Sequence, residues 1–166
     1  MPINTVRGVI FYNSRQNPQA LANAKSALAL DPDFPPAIGS IAKVYDIMGK
    51  DDEAMRYYKR YFERVGIDRR MIDGFGTAYE QAGMQGARRW FVDNFSAAAV
   101  GQLSLGYSLA LQYAMLGEKD RAFEWLQRLS DSHCWNVANV KVEPMFESLR
   151  NDPRYEALLK KIGLEG

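Results

Sequence analysis

The chain has 166 residues, 47% of them apolar and 25% charged, with 21 Lys and Arg against 20 Asp and Glu. A chain of this length suits one domain, and its apolar content suits a packed globule rather than a disordered tail. The near-balance of charge removes the strongest sequence argument for binding nucleic acid or a membrane surface, which is a large basic excess.

Taken from its start, MPINTVRGVIFYNSRQ has neither the basic n-region nor the long apolar h-region of a signal peptide. A period then emerges. Phe11, Tyr45, Tyr79 and Tyr113 are aromatic and successively 34 positions apart. Gly8, Ala42, Gly76 and Ala110 keep the same spacing three residues earlier, and Gly49, Gly83 and Gly117 keep it again. Ala20, Ala54 and Ala122 also fall on it, with Ala87 one residue early in the third unit. A fixed period of this length marks an α-solenoid.

Each unit divides into two predicted helices. In PAIGSIAKVYDIMG, Ile38, Ile41, Tyr45 and Met48 form one apolar stripe, and Gly49 stops the helix. Asp51, Asp52 and Glu53 then place acids at the positive start of the next helix, which carries Ala54, Tyr57, Tyr58, Tyr61 and Phe62 inward. LALQYAMLG followed by EKDRAFEWLQRL repeats the design around Gly117. The small residue before each aromatic is expected to let the paired helices approach closely.

The stretch DGFGTAYEQAG invites comparison with a phosphate-cradling loop. A dinucleotide fingerprint needs a third glycine three residues after Gly76, yet Tyr79 stands there, and the phase makes the segment mid-helix. These glycines are read as structural, with Gly83 the stop of the third unit. Arg56, Lys59, Arg60, Arg64, Arg69, Arg70, Arg88 and Arg89 form a basic stretch among aromatics. Interspersed acids favour a solvated, internally paired face over a patch for nucleic acid or an acidic partner.

Beyond residue 130 the period breaks. Pro144 to Leu149 predicts a short helix, NVANVKV is β-branched and open to an extended form, and Asp152-Pro153 starts a last helix with Tyr155, Leu158, Leu159 and Ile162 on one face. Residues 131–166 are expected to act as a C-terminal helical cap. His133 and Cys134 adjoin, but one His and one Cys supply too few ligands for zinc, and neighbours in sequence need not converge as a nucleophile and base. Cys134 is the only cysteine, which excludes an intrachain disulfide and suits a reducing cytoplasm. No apolar run approaches the roughly 18 residues of a spanning helix.

The helix–turn–helix period, its small and aromatic columns and the alanine of the second helix resemble the tetratricopeptide repeat, over four units of about 1–33, 34–67, 68–100 and 101–130. LGEKDRAFEWLQRL with FESLRNDPRYEALLKKIGL is similar to the end of such arrays in bacterial signalling proteins. The resemblance implies a single all-α domain, a right-handed superhelix of helical pairs with a C-terminal cap, as the regulatory part of a longer protein or as a free-standing relative. It implies a non-catalytic module that docks a peptide or helix of another protein in a concave groove, with no cofactor or metal. Working from phase, that groove should present Tyr12, Lys43, Asp46, Ile47, Thr77, Glu80, Tyr107 and Leu111. Tyr12, Tyr107 and Leu111 would anchor, while Lys43, Asp46 and Glu80 would set register. The best-known ligand mode of the family, a basic clamp on acidic chaperone tails, is disfavoured, because only Arg70 of its positions agrees. The main alternative is a self-association module supporting a signalling dimer. A third reading, a small-molecule site or hydrolase in the groove, needs convergent polar groups that sequence does not display.

Overall fold

A computed structural model describes residues 3–99, 102–132 and 134–164. Among the described residues every regular element is helical, as expected, and neighbouring helices pack against one another. The chain divides into two compact units, Met1–Met84 and Gln85–Gly166.

In the first unit, α1 (Ile3–Asn13) pairs with α2 (Asn17–Leu30), and α3 (Pro35–Ile47) pairs with α4 (Asp51–Arg64). The two pairs meet where α3 packs on α2 and α1. Tyr12, Ala20 and Val44 form a buried cluster there, edged by Phe11, Leu21 and Ile47. Prolines open α2 and α3, where a missing N–H costs nothing. The three acids open α4 as the sequence implied. Ala54, Ile38, Ile41 and Ala42 are fully buried, whereas Met48, placed on the same stripe, is exposed. On α4, Tyr58 and Phe62 meet Phe75 of α5 (Arg69–Ala99) edge-on, with ring centroids 6.4 and 5.2 Å apart.

The helix stops follow the period closely. Gly49 has φ 67° and Gly117 has φ 78°, each followed by an N–H that reaches back to the aromatic of its column: Lys50 to Tyr45 and Glu118 to Tyr113, both at 2.9 Å. These are Schellman closures. Arg15 sits at the same phase in the first unit and takes φ 58°, with Gln16 N–H bonded to Phe11 at 2.8 Å. The third 34-residue period departs from the pattern. Gly83 lies at φ 62°, ψ −158°, after Ala82 at φ −142°, ψ 22°, so α5 is broken there rather than ended and restarted by a turn. DGFGTAYEQA is helical, with no strand before it among the described residues.

One packing expectation changes. The closest approaches of a ring to a glycine lie outside the small-residue column. A Cβ on Gly39 would meet the Tyr61 ring at 3.2 Å, and one on Gly106 would meet Trp125 at 3.2 Å. Gly76 instead faces the flexible ammonium end of Lys59.

In the second unit, α6 (Leu103–Met115) pairs with α7 (Lys119–Asp131). Two 3₁₀ segments follow, Trp135–Asn139 and Pro144–Leu149, and then α8 (Pro153–Lys161), which packs on α7. The stretch left open to an extended form is therefore 3₁₀ helix and turn. Glu143 and Asp152 cap the last two elements by accepting from the N–H groups of Met145 and Arg154. The second 3₁₀ segment lies on α6. Phe146 stands edge-on to Tyr107 at 5.7 Å, and Ser148 Oγ donates to the Ala114 carbonyl at 3.1 Å.

Candidate functional site

The expected groove residues separate by unit and by burial. In the first unit, Tyr12 is 7% exposed, and the Lys43 ammonium lies 5.3 Å from the centre of its ring. Ile47 is half-buried at the edge of the same cluster. Asp46 is 5% exposed and accepts a hydrogen bond from the Tyr58 hydroxyl at 2.9 Å. A carboxylate that is taken out of water needs such a donor, so Asp46 serves the contact between α3 and α4. Thr77 and Glu80, on α5, are exposed.

In the second unit, Tyr107 is 9% exposed and Leu111 4%. Tyr12, Tyr107 and Leu111 are therefore interior side chains, not open anchors. For Tyr107 the reason is the second 3₁₀ segment, which sets Phe146 against it. Its hydroxyl has no hydrogen-bond partner among the described residues. Burial, then the nearby Glu143 and Tyr155, push its ionisation well above the ordinary tyrosine range.

Part of the basic stretch is drawn into pairs within the chain. Arg64 meets Asp33 at 2.8 Å, Arg60 reaches the Pro32 carbonyl, Arg69 pairs with Asp73 at 3.0 Å, Arg89 pairs with Glu118, and Arg88 is buried. Such pairing suits the solvated reading of that face. His133 lies outside the described residues; Cys134 is a buried free thiol. No group of three potential metal ligands occurs among the described residues.

Among the described residues of the second unit, two depressions bear on a site. One, between α7 and α8, is walled in part by Arg154. The guanidinium stacks 4.4 Å over Phe123 and bonds to Asp120 and Asp152 at 2.7 and 2.8 Å. The other, of about 430 Å³, lies where the ends of α7 and α8 meet the first 3₁₀ segment. Its wall includes Asp131, Trp135, Val137, Lys161 and Ile162. Trp135 is 77% exposed. Sequence reasoning passed over this residue because it lies outside the 34-residue register. Its signal was a large aromatic in an aperiodic, otherwise small and polar stretch, SHCWNVAN.

No family model matches the chain, and no curated protein matches it significantly. No helix among the described residues is long and apolar enough to cross a membrane.

Proposed function

We propose that the chain is a non-catalytic protein-interaction module. It is a right-handed α-solenoid of tetratricopeptide-like helical pairs with a C-terminal cap, working in the cytoplasm as the regulatory part of a bacterial signalling protein. The observation that carries this reading is the contact of Lys43 with Tyr12. It joins the first helices of two successive pairs, which is how stacked repeats build one continuous binding face. The phase assigns Thr77 and Glu80 to the same face; both are exposed, and Lys43 and Ile47 are half-buried. These four replace the eight expected from phase. One cation, one acid, a hydroxyl and an aliphatic side chain suit a peptide or helix rather than a polyanion.

The test is photo-crosslinking in a lysate of the source organism, with the crosslinker at Thr77 and, as control, at the exposed Glu63 of α4. A protein should be captured from position 77 and not from 63, and lost when Lys43→Glu and Glu80→Lys are combined. Identical capture from both positions would overturn the assignment of the face. Adducts formed only with second copies of the chain would replace docking by self-association.

A further inference from the structure

We infer that the second 3₁₀ segment, Pro144–Leu149, is a built-in occupant of a docking position on α6, displaced by a partner peptide of like chemistry. The inference rests on the docking reading above, and every contact it uses lies in the second unit.

The period gives the position. Leu111 follows Lys43 and Thr77 at spacings of 34, and Ala114 follows Glu80 at the same spacing. By phase, then, α6 carries the next members of the columns to which the proposed docking residues belong. These members are closed to solvent, with Leu111 4% exposed, Ala114 2% and the nearby Tyr107 9%. The structure also shows what lies on α6. It is the tail segment, with the Phe146 ring edge-on to Tyr107 and Ser148 Oγ donating to the Ala114 carbonyl.

The segment has the properties of a ligand. Its turn is held by its own groups: Glu143 accepts from the Met145 N–H, Phe146 N–H bonds to the Glu143 carbonyl, and Arg150 N–H bonds to the Glu147 carbonyl. Pro144 opens it, where a missing N–H costs nothing. What it offers α6 is therefore an aromatic anchor and a hydroxyl on a preformed turn, the kind of group that dominates a docked peptide. The fit is incomplete. The Tyr107 hydroxyl is buried with no hydrogen-bond partner among the described residues, and a donor left so weighs against the closed state. The partner this position suits is a short turn that brings an aromatic ring in place of Phe146. An acceptor placed at the Tyr107 hydroxyl would make it hold α6 better than the tail does.

The test uses the full chain and, as probe, a fluorescent peptide of residues 142–151. Wild type should bind it weakly, because the attached copy competes at high effective concentration. Phe146→Ala, with folding confirmed by circular dichroism, should bind it about a hundredfold more tightly, since losing the ring frees the position by about that factor. A peptide that itself carries Phe146→Ala should not bind. Hydrogen exchange in wild type decides the question where Phe146→Ala does not fold. Millimolar peptide should speed exchange at residues 145–149 and leave α7 unchanged. A folded Phe146→Ala that binds no more tightly than wild type would overturn the proposal. Exchange at 145–149 that the peptide does not move would do so too, and would make the segment core alone. Either failure leaves capture from Thr77 unaffected, so the docking reading is judged separately.

Discussion

Tyr79 donates to an Asp52 carboxylate oxygen at 2.6 Å, and this one bond sets how the residue responds to alkali. The hydrogen bond first, then burial and the charges of Asp52, Asp51 and Glu53, raise its ionisation from 10.0 to about 12. Losing the proton would cost the bond and set a phenolate against three acids. A group whose folded value is raised contributes stability below its unfolded value of 10.0, and that contribution is lost as pH rises through about 12. Tyrosinate absorbance, compared between wild type and Tyr79→Phe, should isolate one hydroxyl that ionises near 12. In Asp52→Ala the same difference should move back toward 10. No movement would show that the bond does not form in solution. The aromatic column makes Tyr79 visible in the sequence, but Asp52 reads there as a helix-start acid and a partner four residues before Arg56. Its bond to Tyr79 depends on α4 and α5 lying side by side, which spacing alone does not specify.

At the scale of the element, the helix stops separate what a period can reveal from what it hides. Gly49 and Gly117 were legible because glycine recurred in phase. Arg15 was not, since its letter carries no turn signal, yet it takes the same left-handed backbone. An L-residue there pays roughly 1–2 kcal/mol for the crowding of Cβ by the carbonyl. Glycine escapes that crowding but loses more chain entropy. Measured against Arg15→Ala, so that the arginine's own side-chain contacts drop out, Arg15→Gly should be more stable by about 1 kcal/mol, read as a higher urea midpoint at unchanged slope. Gly83 is the reverse case, a glycine in the expected column with an unexpected backbone. At φ 62°, ψ −158° it occupies a region reserved almost entirely for glycine, costing other residues roughly 1–3 kcal/mol. A Cβ at Gly83 or at Gly49 would meet nothing within 4 Å, so the backbone alone sets the penalty of substitution. Gly83→Ala should therefore cost about 1–3 kcal/mol and more than Gly49→Ala, whose left-handed backbone costs alanine about 1–2 kcal/mol. Equal costs would mean that Ala82 and Gly83 relax into an ordinary turn or a continuous helix.

For the molecule as a whole, the question is what the aperiodic tail does. Its caps and apolar stripes were readable, and α8 starts at Asp152 and Pro153 as its sequence implies. Its target was not readable, because a short 3₁₀ segment has no repeat to phase against the helix it covers. The second 3₁₀ segment settles on α6, and that contact is what turns Tyr107 from an expected binding residue into core. If the tail is integral to the fold, removing Phe146, which is 0% exposed, should cost about 3–5 kcal/mol, a large share of the roughly 5–15 kcal/mol that holds a domain together. Tyr107→Phe should behave oppositely. It keeps the ring against Phe146 and removes a buried hydroxyl with no hydrogen-bond partner among the described residues. Relieving such a group is neutral or stabilising, by up to about 1–3 kcal/mol. Urea unfolding of Phe146→Ala and Tyr107→Phe, each against wild type, measures both. A loss under about 1 kcal/mol in Phe146→Ala would detach the tail from the core and leave α6 uncovered. A loss of about 1 kcal/mol or more in Tyr107→Phe would mean that the hydroxyl is bonded in solution. If both expectations hold, α6 is covered by its own tail, and the proposed docking face is confined to Lys43, Ile47, Thr77 and Glu80.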